Sequence, residues 1–283
     1  MDREIKPVWS TVGEIDPREL VEARTQLHWA VQPAMAFADC ALEQLPDDSQ
    51  ANLGWRDDLE ALVGRQPPDG LSAGLRIPDM TLLVFDGKGA VAEGVALEGR
   101  TIDEVVSSLD SIALELTGKK PKNPTRIRDY EMPEHPLAAG ARFVVDRPPA
   151  FAEVTRWLAN GNLTLTRATS SDNGWSEVRC WPHHFDLGML IGLESSSKSI
   201  GAGLSPGDHW YPEPYFYVNP YGLADGPLAG PPLVSGGHWH TDGWFGAVLP
   251  ATRILEIPED AQESAVLSFV RGAIDAAGDL LTA

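Results

Sequence analysis

The sequence predicts an α+β protein of two related halves, each a mainly antiparallel sheet with flanking helices, arising from internal duplication. Three observations carry this expectation. Two amphipathic helices stand out, one at 101–117 and one near 260–281. Between them lie short apolar segments punctuated by Pro and Gly, which suit antiparallel pairing. The order helix, strands, helix occurs twice, giving an N-terminal half over 1–118, a crossing segment over 119–148 and a C-terminal half over 149–283.

Each element has a local reason. Asp16, Pro17 and Glu19 form an N-terminal helix signal for a helix over 16–26. Strands are expected within LHWAVQPAMAFADCAL, AGLRIPDMTLLVFD and AVAEGVAL. Thr101 and Glu104 form a capping box. Ile102, Val105, Val106, Leu109, Ile112, Ala113 and Leu116 then recur at helical spacing, and Gly118 stops the run. In the second half Pro149 opens a helix and Gly161 closes it. Strands are expected at LTLTRA, within EVRCWPHHFDLGMLIGL, and at IGAGL, PYFYVNPY and FGAVLP. Val266, Phe269, Val270, Ala273, Ile274, Ala277, Leu280 and Leu281 stripe the last helix. His28-Trp29 falls where Cys180-Trp181 falls, which supports the repeat.

Composition bounds the function. The chain has 283 residues, 43% hydrophobic and 22% charged, with nine tryptophans, so a packed core is expected. A formal net charge of −19 repels nucleic acid and anionic lipid, so neither is expected as a partner. No stretch reaches the ~18 apolar residues needed to span a bilayer. The start, MDREIKPVWS, lacks an apolar core stretch. Cys40 and Cys180 make no disulfide framework. A cytoplasmic chain is the expectation. The crossing segment carries Lys119, Lys120, Lys122, Arg126 and Arg128, which suit either surface ion pairs or a phosphate-bearing ligand.

Five of the seven histidines fall between 183 and 240. On strands, alternate side chains share a face. His184 and Asp186 would then face one way together, and His238 and His240 likewise. Two imidazoles and a carboxylate match non-haem Fe(II) or catalytic Zn(II). The metal candidates are therefore His184, Asp186, His238 and His240. The plainer alternative is that His183 packs beside Trp181 in the core and HWHTDGW is a polar hairpin. A second feature is GLSPGDHWYPEPYFYVNPYG, with Ser205-Pro206-Gly207-Asp208 as a turn. Trp210, Tyr211, Tyr215, Tyr217 and Tyr221 place amphipathic rings near Glu213, and such rings suit a small-ligand pocket. An aromatic sheet face packed under a helix would use the same residues. Trp181, Trp210, Tyr215 and Tyr217 are the ligand-binding candidates, and Asp186 and Glu213 the catalytic ones.

The C-terminal half resembles a bacterial family described as domain of unknown function 5996. The matching residues are Phe185-Asp186-Leu187-Gly188, Ala202-Gly203-Leu204-Ser205-Pro206-Gly207, and Glu213-Pro214-Tyr215-Phe216-Tyr217. Leu249-Pro250 and the closing helix follow in order. The N-terminal TQLHW also resembles the family's opening region. The family pattern lacks Pro182-His183-His184 and the HWH segment, so the resemblance assigns Asp186, Glu213 and Tyr217 to the family and the histidines to this chain. It brings no reaction with it.

Two functional expectations follow. The first is a small-molecule enzyme, an oxygenase or hydrolase, with Fe(II) or Zn(II) on the His/Asp set. The second is a non-catalytic module that binds a small ligand or a protein through its aromatic pocket. A homodimerising scaffold uses the same halves without a site.

Overall fold

The stretch after Thr25 folds as a helix, not as strands, in the computed structural model, which describes residues 7–68, 70–119, 125–169, 174–193, 197–223 and 229–282. Helix α1 (Val21–Ala41) is rich in alanine, the strongest helix former. Its Leu27, Ala30, Val31, Ala34 and Met35 are wholly buried, as is Gln32. A helix buried on nearly every side shows no single stripe, so its apolar run reads like sheet. Pro33 sits inside it.

The chain divides into two units. The first comprises Glu22–Thr155 and Cys180–Phe185, and the second comprises Met1–Val21, Arg156–Arg179 and Asp186–Ala283. Both mix helix with antiparallel sheet.

In the first unit, strands β1 (Leu53–Arg56), β2 (Ala61–Gly64), β3 (Ser72–Arg76), β4 (Thr81–Phe85) and β5 (Val91–Ala96) pair antiparallel in sequence order. Cys180, in β6 (Arg179–Trp181), pairs with Leu53 on the other side of β1. Helix α2 (Ile102–Thr117) forms as its signals dictate. The Thr101 Oγ1 accepts from the Glu104 N–H at 3.2 Å, and the Thr101 N–H donates to Glu104 Oε2 at 2.9 Å. Gly118 closes it in the left-handed region at φ 67°. Its buried stripe is Val105, Leu109 and Ala113. Residues 125–147 of the expected crossing segment belong to this unit, while Lys120 and Lys122 lie outside the described residues.

Helix α3 (Pro148–Thr169) runs through the expected strand LTLTRA. Gly161 is not its end. A Cβ there would lie 2.4 Å from the Leu204 side chain, so this glycine allows close packing in mid-helix. His28 and Trp29 thus stand on a helix, whereas Cys180 and Trp181 stand on a strand. The correspondence read from those pairs is not kept.

The second unit holds β7 (Asp186–Gly192), β8 (Ser199–Ser205), β9 (Tyr215–Tyr221), β10 (His238–His240) and β11 (Gly246–Pro250). They pair antiparallel in the order β7, β8, β9, β11, β10. Short helix α4 (Ala251–Leu255) leads to α5 (Glu259–Thr282). One sheet face carries Leu187, Met189, Ala202, Leu204, Phe216, Val218, Ala247 and Leu249, all buried. Helix α5 packs on β8, β9 and β11 through Val266, Phe269, Val270, Ala273 and Ala277. The opposite face carries Asp186, Gly203, Ser205, Tyr215, Tyr217, Asn219, His238 and His240, because side chains alternate along each strand. Register therefore sorts the polar groups and the tyrosines onto one face. Among the described residues, no helix is long and apolar enough to cross a membrane.

Candidate functional site

The segment Pro182–Phe185 is a turn, which corrects the strand expected there. The N–H groups of His184 and Phe185 both donate to the Trp181 carbonyl, at 3.0 and 2.7 Å. Phe185 takes a left-handed backbone at φ 56°, a conformation that costs a non-glycine residue about 1 kcal/mol. Strand alternation therefore no longer aligns His184 with Asp186. The ring of Phe185 is buried and stacks on His28, with centroids 5.5 Å apart. His28 Nε2–H donates to the Pro182 carbonyl at 2.8 Å, and Gln32 Nε2–H donates to the same oxygen at 2.8 Å. Two side chains of α1 thus pin this turn. Burial lowers His28 to a pKa of about 4, against the opposing effect of its bond to Pro182. Burial, with His184 beside it, also lowers His183 to about 4. His183 lies against Trp181, Tyr130 and His184, at centroid distances of 6.1, 5.5 and 4.2 Å. His28 and His183 are thus packed imidazoles whose burial disfavours the charged form. The plainer expectation for His183, packing beside Trp181, matches this arrangement.

The same unit contains a cleft of about 730 Å³ beside the C-terminal half of α1. Trp29, Cys40, Ile127, Tyr130 and Met132 line it, with Arg126 and Asp129 among its charged groups. Its Arg128 is already committed. The guanidinium meets Asp39 through Nε at 2.8 Å and Nη2 at 2.5 Å, and Asp48 through Nη1 at 2.8 Å. Burial works to raise the Asp39 carboxyl, but hydrogen bonds from Arg128 and Gln50 outweigh it and hold that carboxyl below its ordinary range. Arg126, by contrast, is exposed and makes no ion pair among the described residues.

In the second unit the aromatic run folds over the polar sheet face. The Tyr217 hydroxyl donates to Asp186 Oδ2. Its ring crosses Gly203, where a Cβ would stand 2.3 Å from the ring. Only glycine leaves that path open. The Tyr215 hydroxyl donates to Asp208 Oδ2 at 2.6 Å. Burial, and then the adjacent carboxylate, push both phenols well above their ordinary range. They remain protonated donors, and Asp186 and Tyr217 form a buried polar tie across the sheet. Glu213, expected as a base, instead caps α4. Its Oε2 accepts from the Thr252 N–H at 2.6 Å and its Oε1 from the Thr252 hydroxyl at 3.1 Å. Arg18 stands 3.9 Å from the same carboxylate. Trp210 is 36% exposed and meets the His240 ring edge-on at 5.2 Å. Trp244 stacks on His240 at 4.4 Å. Tyr211 joins the two β10 histidines, with its hydroxyl 3.0 Å from His238 Nε2 and 2.9 Å from His240 Nδ1.

The structure thus brings Trp210, Tyr215, Tyr217, Asp186, His238 and His240 onto or beside one sheet face. Trp181 and His184 belong to the first unit. Among the described residues, no group of three or more His, Cys, Asp or Glu side chains is placed to hold a metal ion. The cleft was not expected from sequence. Its lining comes from a helix and from a segment ninety residues later in the chain, as the Arg128–Asp39 separation of 89 positions illustrates. No family model, curated protein or solved structure matches the chain.

Proposed function

We propose that the protein is a binding protein for a small aromatic acid, held in the cleft of the first unit. The observation that carries this is the cleft itself, about 730 Å³, within the usual size range of small-ligand sites. Trp29 and Tyr130 offer flat faces for an aromatic body, and Ile127 and Met132 add apolar contact. Arg126 supplies a planar fork for a carboxylate, while Arg128 is held by Asp39 and Asp48. A binding role is favoured over a metal-dependent oxygenase or hydrolase because the turn at 182–185 removes the strand alternation from which the pairing of His184 with Asp186 was read.

The test is calorimetric titration with 1-naphthoate, alongside the matched amine 1-naphthylmethylamine. The acid binds with one site per chain and raises the melting temperature, and the amine does neither. Arg126→Ala weakens the acid by about 1.5–3 kcal/mol, the usual worth of a charge-assisted hydrogen bond. Trp29→Ala weakens it further. A preference for the amine, or acid binding indifferent to both substitutions, contradicts the proposal.

A further inference from the structure

The edge strand β10 carries a set of donors that the cleft does not involve. His238 and His240 are two residues apart on a strand, so their side chains share a face. Register fixes them there, with His238 opposite Val248 and His240 opposite Gly246. Tyr211, from the loop before β9, brings its hydroxyl to both rings, 3.0 Å from His238 Nε2 and 2.9 Å from His240 Nδ1. Two donors bound to one metal at about 2.0–2.2 Å, with angles near 90–110°, stand about 3.0–3.4 Å apart. The phenol oxygen is therefore already near the separation that neighbouring ligands of a common ion adopt.

The outer contacts point the same way. His240 Nε2 lies 2.7 Å from the Asp242 carbonyl oxygen. A carbonyl only accepts, so Nε2 carries the hydrogen, and in the neutral ring Nδ1 then presents its lone pair to Tyr211. A ligand histidine whose second nitrogen donates to a carbonyl has its tautomer and ring plane fixed. The ring is also held by Trp210 at 5.2 Å and Trp244 at 4.4 Å. Gly243, at φ 77°, returns the chain beneath Trp210, where a Cβ would stand 2.4 Å from the indole. His238 is exposed, so an ion has access from solvent.

We infer that His238, His240 and Tyr211 form a binding site for a late first-row divalent metal, with copper(II) held most tightly. Imidazole nitrogen suits copper, nickel and zinc, whereas magnesium and calcium prefer all-oxygen sites. Among divalent ions the order of affinity peaks at copper(II). The third donor is a phenol oxygen, which is why a set limited to His, Cys, Asp and Glu does not contain it. On binding, the Tyr211 proton leaves to water and His238 shifts its remaining hydrogen to Nδ1. The ion then receives two neutral nitrogens and one phenolate. This site is independent of the cleft, and either can fail without the other.

The test uses tag-free, chelator-stripped protein titrated with copper(II) chloride and zinc chloride, followed by calorimetry and visible absorption. One equivalent of copper(II) binds, more tightly than zinc(II), with a tyrosinate-to-copper charge-transfer band. Tyr211→Phe removes the band and weakens copper(II) about 10- to 100-fold, an effect of the size seen when the shell around a metal is altered. His238→Ala and His240→Ala weaken it at least as much, with unchanged far-ultraviolet circular dichroism. A His183→Ala/His184→Ala double variant binds as the parent does. Absence of one-to-one binding overturns the assignment. So does binding retained in the His238→Ala/His240→Ala double variant, or a band that survives Tyr211→Phe.

Discussion

The two groups of histidines are alike in sequence and opposite in setting. His28, His183 and His184 lie in the first unit, on or beside a tight turn. His28 donates to a backbone carbonyl, stacks on Phe185 and is buried. His238 and His240 stand on an edge strand, and both point a ring nitrogen at one phenol oxygen. In the first group His28 uses its ring nitrogen to hold the chain, and His183 and His184 pack ring against ring. The second presents them to a side chain that a metal can replace as hydrogen-bond partner. Nearness along the chain therefore says little about an imidazole's role. What the second ring nitrogen touches decides it.

The comparison can be pressed hardest at His28. Its replacement by alanine leaves a cavity against Phe185 and removes one of two bonds to Pro182. It should cost about 3 kcal/mol of stability, read from urea unfolding. His238→Ala removes an exposed ring and should cost no more than about 0.5 kcal/mol. Equal losses at the two positions would erase the distinction.

Acid unfolding probes the same contrast with the wild-type side chain in place. The folded pKa of His28 is about 4, below its ordinary 6.5, so the unfolded chain takes up this proton first. Stability from this residue is full above pH 6.5, falls as the pH drops through the window to about 4, and is lost below it. The difference between those values corresponds to about 3 kcal/mol. In His28→Leu that part of the pH dependence disappears. A variant whose stability still falls as steeply between pH 6.5 and 4 would show that another group controls acid lability.

Smaller again is the Arg128 clip beside the cleft. Arg128→Met leaves Asp39 partly buried and unpaired, and should destabilise the protein by about 2 kcal/mol. It should also raise the pH at which Asp39 titrates, because the hydrogen bonds that hold its carboxyl down are reduced. Arg126→Ala should leave stability unchanged within about 0.5 kcal/mol, since that side chain is exposed. Stability that drops equally in both variants would place Arg126 in the structural clip and remove the cation on which aromatic-acid binding rests. Copper(II) affinity should be the same in both.

Local signals in the sequence are legible where they are self-contained. The Thr101–Glu104 box, the Gly118 stop and the stripe of α5 each occupy one continuous stretch, and each forms as read. Helix α1 escaped because burial on nearly all sides erases the periodicity that marks a helix. The C-terminal turns of α3 escaped because Gly161 looks like a stop when its neighbour Leu204 is not visible. Strands β1 and β2 are four residues each, too short for alternation to register. At the candidate site the His238–His240 pair was legible from strand spacing alone. Its partner was not, because Tyr211 lies 27 and 29 positions away in the chain. The pairing of His184 with Asp186 misled for a definite reason. The turn at 182–185, closed by two bonds to the Trp181 carbonyl and with Phe185 in the left-handed region, ends the alternation on which that pairing rested.

The most direct measurement reads every imidazole at once. Protein labelled with nitrogen-15 at histidine is titrated with zinc(II), and the side-chain nitrogen resonances are followed at pH 7. The account predicts large shifts at His238 Nε2 and His240 Nδ1 that saturate together at one equivalent, with His28, His183 and His184 unchanged. Shifts centred on His183 or His184, or no shift at His238 and His240, would contradict it.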